Sequence, residues 1–138
     1  MQITKSTFII ETNGFADGPA QPFRDYLVAH NAKKVTFINH PLVAESGNEH
    51  VVTTYENQEV KIKKYHLPNH PPYTFIFDPF VPLKIPPATA WFGYNNLSVH
   101  RGLKYKRAGK VDKVYYWAVD FVPNRFGSSP LTKLYNKL

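Results

Sequence analysis

TFIIETNGFADGPAQPFRDYLVAHNAKKVTFIN, residues 7–39, decides how the rest of the chain is read. TFIIE (7–11) is a short run of β-branched and aromatic residues, the composition of a buried strand. TNGFADG (12–18) follows as a loop carrying Gly14 and Gly18. Pro19 suits the first position of a helix, and Phe23, Tyr26, Leu27 and His30 fall at i, i+3, i+4 and i+7, which predicts a helix of about three turns ending near Asn31. KVTFIN (34–39) is a second strand. One helical crossover separates the two strands, so they are expected as parallel neighbours joined right-handedly.

Downstream the alternation breaks. Residues 50–55 and 59–65 are strand-like runs around Glu56, Asn57 and Gln58, and Val60 and Ile62 alternate with Lys61 and Lys63. A β-hairpin with one wet face, inserted at a sheet edge, is expected. Residues 67–87 (LPNHPPYTFIFDPFVPLKIPP) carry Pro68, Pro71, Pro72, Pro79, Pro82, Pro86 and Pro87. Each proline lacks an N–H and restricts its predecessor, which argues against a long helix. The aromatic residues Tyr73, Phe75, Phe77 and Phe80 point to an extended segment covering the core.

TAWFGY (89–94) resumes the pattern as a strand. Asn96 or Ser98 can cap a helix running to about Ala108, with Gly109 as its stop. Residues 114–119 are expected as the next strand, apolar and buried. After a turn over 123–129, Pro130 opens a helix with Leu131, Leu134, Tyr135 and Leu138 at helical spacing. The stripe is still running at Leu138, so the chain is expected to be a piece of something longer. The element order is that of an α/β protein with a mainly parallel sheet flanked by helices, and 138 residues make one domain.

Such sheets bind ligands outside the carboxyl ends of their strands. Four polar clusters fall at those ends: residues 13–18, Asn39 with His40, Asn95 with Asn96, and residues 120–125 with Asp120 and Arg125. Each also has a purely structural reading. Asn13, Gly14, Asp17 and Gly18 are turn formers, although glycines before a helix also expose N–H groups to a phosphate. His40 with Pro41 suits a turn, Asn95 and Asn96 suit helix caps, and His100 is expected to face solvent from its helix. Asp120 can brace its turn by pairing with Arg125 or can face a ligand.

Composition narrows the chemistry. The sequence has no cysteine, which excludes disulfides, thiolate metal sites and a cysteine nucleophile. H-E-x-x-H, G-x-x-x-x-G-K-[ST] and G-x-S-x-G are absent. The six histidines are dispersed without ligand spacing, so neither a metal nor another cofactor is expected. A net charge of +7 suits nucleic acid, anionic lipid or phosphorylated ligands. Its basic residues gather at 61–66 and 100–110, a pattern that also fits solvated faces of a strand and a helix. No run approaches the roughly 20 apolar residues of a membrane span, and the apolar patch near the N-terminus is too short for a signal peptide, so a cytoplasmic protein is expected.

ETNGFADGPAQPFRDYL (11–27), KVTFINHPL (34–42), WFGYNNLSVHRGLKYKRAGKVDKVYYWAVDFVPNRFG (91–127) and LYNKL (134–138) resemble the N-terminal domain of GT-B glycosyltransferases of the family-4-like retaining kind. The resemblance covers roughly residues 6–42 and 88–138. Its most specific block is Asp120 followed by Pro123, Arg125 and Phe126, one helix-strand unit after Gly102 and Gly109.

This resemblance implies a Rossmann-like, acceptor-binding half of a two-domain enzyme, with a nucleotide-sugar donor held mainly by a second domain and a glycan or lipid-linked acceptor in the cleft. Asp120 is the best-matched catalytic residue, Asn13, Gly14, Asp17 and Gly18 would form the donor-phosphate loop, and His40, Asn95, Asn96 and Arg125 would line the acceptor rim. The chain lacks the usual adjacent glycine pair in the loop and carries Val119 where relatives place a histidine. Alone, the domain should be nearly inactive. Arg101, Lys104, Lys106, Arg107 and Lys110 could lean on an anionic bilayer. The rival classes are a basic nucleic-acid-binding module, with Tyr65, Tyr105, Tyr115 and Tyr116 available for stacking, and a stand-alone interaction module. Nucleic acid is the less favoured partner, because Tyr115 and Tyr116 fall in a strand expected to be buried and no nucleic-acid signature motif is present.

Overall fold

The computed structural model describes residues 2–13, 18–41, 48–68, 78–79, 81–118, 130, 133 and 137. After a single 3-10 turn at Ile3–Lys5, the chain forms β1 (Thr7–Asn13), α1 (Ala20–Ala29), β2 (Lys34–His40), β3 (Glu49–Glu56), β4 (Glu59–His66), β5 (Ala88–Gly93), α2 (Asn96–Arg107) and β6 (Val111–Tyr116). The sheet order is β4-β3-β2-β1-β5-β6. β1 runs parallel to β2 and to β5, and β5 parallel to β6, whereas β3 pairs antiparallel with β2 and with β4.

The α/β class and the inserted edge hairpin are therefore present, but the sheet is mixed: a parallel block of four strands extended by an antiparallel ribbon. Asn57 and Gln58 both adopt positive φ, 51° and 66°, as a tight two-residue hairpin turn requires, and so return β4 antiparallel. The connection from β2 to β3 spans about eight residues, shorter than the dozen or so a parallel crossover needs.

Side chains alternate along each strand, so the two sheet faces collect different sets. Phe8, Ile10, Val35, Phe37 and Ala90 pack under Ala20 and Leu27 of α1, with Phe23 and Phe92 at the margin. On the opposite face Ile9, Ile38, Val52, Ala88, Trp91 and Val111 lie under Val81, Leu83, Ile85 and Tyr105 of α2. Val81, Leu83 and Ile85 give substance to the expected cover, each second residue of an extended segment turned to the core. Its aromatic residues Tyr73, Phe75, Phe77 and Phe80 lie outside the described residues. So do the turn after β6 and most of the expected C-terminal helix, of which Pro130, Lys133 and Lys137 are helical. No helix among the described residues is long and apolar enough to cross a membrane.

Three local expectations change. The buried line of α1 runs through Ala20, Phe23 and Leu27, while Tyr26 is 49% exposed and its ring lies tilted against the exposed His30 with centroids 4.0 Å apart. α2 is capped by Asn95, as one reading of that residue has it, and not by Asn96 or Ser98: Ser98 N donates to Asn95 Oδ1 at 2.8 Å while Asn95 N donates to Ser98 Oγ at 3.1 Å, a reciprocal capping box. β6 starts at Val111 and is not a buried strand. It forms an edge with Val111 as its one buried residue, and Tyr115 and Tyr116 are 41% and 49% exposed. Aromatic composition marks the strand, but burial depends on what covers it, and here Tyr115 stacks sideways on Phe92 at 4.8 Å.

α2 approaches the sheet closely at two glycines. A Cβ on Gly102 would meet Trp91 Cδ1 at 2.7 Å, and one on Gly93 would meet Val99 N at 2.7 Å. Trp91 is fully enclosed, stacked on Tyr105 at 5.5 Å, and has nowhere to retreat. Gly102→Ala is therefore expected to destabilise the domain by about 1–3 kcal/mol, read from urea denaturation. An unchanged midpoint would contradict this packing.

Candidate functional site

β1 places Ile9, Glu11 and Asn13 on the face covered by α2, so its apolar run ends there in a buried acid and then an amide. In the parallel register Asn13 lies beside His40, the last residue of β2. The antiparallel register that sets Asn39 opposite Val51 continues to His40 and His50, at the start of β3. α2 contributes Arg101, and the covering segment contributes Asp78. Glu11, His40, His50, Asp78 and Arg101 are between 1% and 8% exposed, a cluster of ionisable groups inside the protein at the carboxyl ends of the parallel strands.

Burying so many charges demands partners. Arg101 Nη1 donates to Glu11 Oε1 at 3.1 Å and to the Asp78 carbonyl at 2.9 Å, and Nη2 donates to the Val81 carbonyl. One guanidinium thus neutralises the β1 acid and fastens the cover to the sheet. His40 Nε2 lies 2.9 Å from the same Glu11 oxygen, and His40 Nδ1 lies 2.8 Å from His50 Nδ1. Two facing ring nitrogens at that distance share a single proton. Burial first, then the charges of His40 and Arg101, push the His50 pKa down to about 4, so His50 is neutral near pH 7. Either His50 donates Nδ1–H to a neutral His40, or a protonated His40 donates to both Glu11 and His50.

Asp78 is the least satisfied member. Asn13 Nδ2 donates to its Oδ2 at 3.5 Å, whereas Oδ1 has no hydrogen-bond partner among the described residues. That oxygen stands 3.7 Å from His40 Nδ1 and 3.8 Å from His50 Nδ1. Burial pushes the Asp78 pKa up to about 7, with a further rise from the Glu11 carboxylate and opposition from His40. The cluster can brace the fold, pass a proton between its rings, or present His40, His50 and Asp78 together to a metal ion.

The residues singled out by the sequence differ in where they fall. Asn13 and Asn95 meet as expected, with Asn95 Nδ2 donating to Asn13 Oδ1. Asn96 opens α2 beside them and accepts from the Tyr116 hydroxyl at 2.7 Å, while Gly18 precedes α1. His40 is at the correct strand end but enclosed and internally bonded, below the rim rather than on it. Gly14, Asp17, Asp120 and Arg125 lie outside the described residues. At the same edge Trp117 N donates to the Gly93 carbonyl at 2.9 Å and its ring stacks on Tyr94. His100 is exposed, as expected. Arg101 is withdrawn from the basic surface proposed for a bilayer, because its charge is spent internally on Glu11.

Glu11, His50, Asp78 and Arg101 were not recognisable as a set. An acid closing TFIIE and another between FIF and PF are charged residues inside apolar runs, the one signal available. Arg101 is one cation among many in its stretch, and only strand pairing joins His50 to His40. Comparison with protein families, curated proteins and solved structures finds no match to this chain.

Two measurements check this electrostatic arrangement. Arg101→Met leaves Glu11 buried without its cation and is expected to lower stability by about 3–5 kcal/mol, with Glu11→Gln in the same background restoring part of the loss. The second is pH dependence in EDTA. Asp78 has a raised pKa, so its contribution falls as pH rises from about 4 to about 7, while His50, with a lowered pKa, loses stability as pH falls from about 6.5 to about 4. The two oppose each other over the shared window. Asp78→Asn should therefore make stability drop more steeply between pH 6.5 and pH 4 than in the parent; parallel profiles would contradict the assignment.

Proposed function

We propose that this domain is the Rossmann-like, acceptor-binding half of a glycosyltransferase that moves a sugar from a nucleotide-sugar donor to a glycan or lipid-linked acceptor. The observation that carries the reading is the junction of Asn13 and Asn95, residues 82 positions apart, on one lip of the parallel block. That lip is where α/β sheets receive ligands. In sequence, Asn13 directly precedes residues 14–17, and Asn95 belongs with Asp120 to the 91–127 stretch, the segments that carry the resemblance to the GT-B family.

In this reading a second domain holds most of the donor, Asp120 is the catalytic carboxylate, and Asn13, Asn95, Asn96 and Arg125 orient the acceptor. The buried cluster below keeps the lip rigid. Lys104, Lys106, Arg107 and Lys110 are exposed on and after α2 and remain available to an anionic membrane surface carrying a lipid-linked acceptor. One observation favours a second reading: Tyr115, Tyr116 and Trp117 are exposed along and beyond β6 next to Lys113, an arrangement suited to stacking single-stranded bases.

The product of the whole gene, incubated with a panel of nucleotide sugars, is expected to release nucleotide in the presence of glycan or lipid-linked acceptors. Asp120→Asn should reduce that rate by roughly 100- to 10,000-fold without shifting the melting temperature. Absence of turnover with every donor, together with salt-sensitive binding of single-stranded nucleic acid, would replace the first reading by the second.

A further inference from the structure

We propose that His40, His50 and Asp78 form a binding site for a divalent transition-metal ion, with zinc the best fit. His40 Nδ1, His50 Nδ1 and Asp78 Oδ1 make a triangle with sides of 2.8, 3.7 and 3.8 Å. The point equidistant from all three lies about 2 Å from each, close to the roughly 2.0–2.2 Å bonds of zinc to imidazole nitrogen and carboxylate oxygen. All three residues are buried, unlike the exposed acidic groups that cluster by chance on surfaces.

Two further observations point to a ligand. First, Asp78 Oδ1 is turned toward both rings inside the protein and has no hydrogen-bond partner among the described residues. A cation between the rings supplies the missing interaction. Second, the opposite nitrogen of His40 is held 2.9 Å from Glu11 Oε1, which is itself held by Arg101. A carboxylate behind the far nitrogen of a histidine is the arrangement that fixes ring orientation and tautomer in metal sites. Without a metal the two Nδ1 atoms must share a proton; with one, the ion takes the place of that proton.

The donor set selects the ion. Two imidazoles and one carboxylate suit zinc and its transition-metal neighbours, whereas magnesium and calcium prefer oxygen ligands throughout. Three protein ligands leave a further coordination position to a ligand from outside the set, as in catalytic rather than closed structural zinc sites. Asn13, bonded both to Asp78 and to Asn95, connects this position in the fold to the lip above it. The inference does not depend on sugar transfer, since it rests on the buried cluster alone.

Calorimetry of the EDTA-stripped, dialysed protein with zinc chloride is expected to show one ion per chain and a raised melting temperature. His50→Ala should abolish that binding, Glu11→Gln should weaken it about 10- to 100-fold, and His66→Ala and His100→Ala should leave it unchanged. Ring-nitrogen NMR of the unmutated protein decides the matter even if His50→Ala fails to fold: zinc should shift the Nδ1 resonances of His40 and His50. Lack of one-to-one binding, unshifted Nδ1 resonances at saturating zinc, or binding that survives His50→Ala but is lost in His66→Ala would overturn the site.

Discussion

The domain is organised around one buried ion pair, Arg101 on Glu11. Taking a guanidinium and a carboxylate out of water is unfavourable without partners, so the surrounding backbone comes to the guanidinium, while Glu11 is held through Oε1 and its Oε2 has no hydrogen bond among the described residues. Arg101 draws in the carbonyls of Asp78 and Val81, and Glu11 takes His40. The helix, the central strand and the covering segment are thereby fixed to one another. Gly102, the next residue, removes the side chain that would otherwise hold α2 off Trp91, so polar and apolar contacts at this point of α2 enforce the same close approach.

The lip inherits its geometry from this core. Asn13 lies two residues beyond Glu11 on the same face of β1, and Asn95 caps the helix that carries Arg101. Their hydrogen bond joins the ends of two elements already anchored beneath. An edge supported in this way has little freedom to rearrange, which is what the proposed acceptor site would require.

What was legible in the sequence follows from local physics. β-branched and aromatic runs mark β1, β2 and β5, the crossover length gives the parallel pairing of β1 and β2, and Gly109, at φ 69°, ends α2 as expected. The hairpin was legible from alternation, although its effect on the sheet as a whole was not. What depended on distant neighbours stayed hidden. Tyr26 and His30 share the spacing of Phe23 and Leu27 but fall outside the contact with the sheet. Tyr115 and Tyr116 read as core because nothing in their own composition reveals an edge. His40 looked like a turn residue, since its partners Glu11 and His50 arrive through a parallel pairing and an antiparallel return that no spacing rule records.

The shared proton between the two histidines depends on the whole arrangement at once: the β2–β3 register, the burial, and the Glu11 brace. Trans-hydrogen-bond NMR of the metal-free, nitrogen-15-labelled protein reads it directly. A scalar coupling between His40 Nδ1 and His50 Nδ1 is expected, with His50 remaining neutral down to about pH 4. Two uncoupled rings, with His50 titrating near 6.5, the value of an unperturbed imidazole, would contradict it.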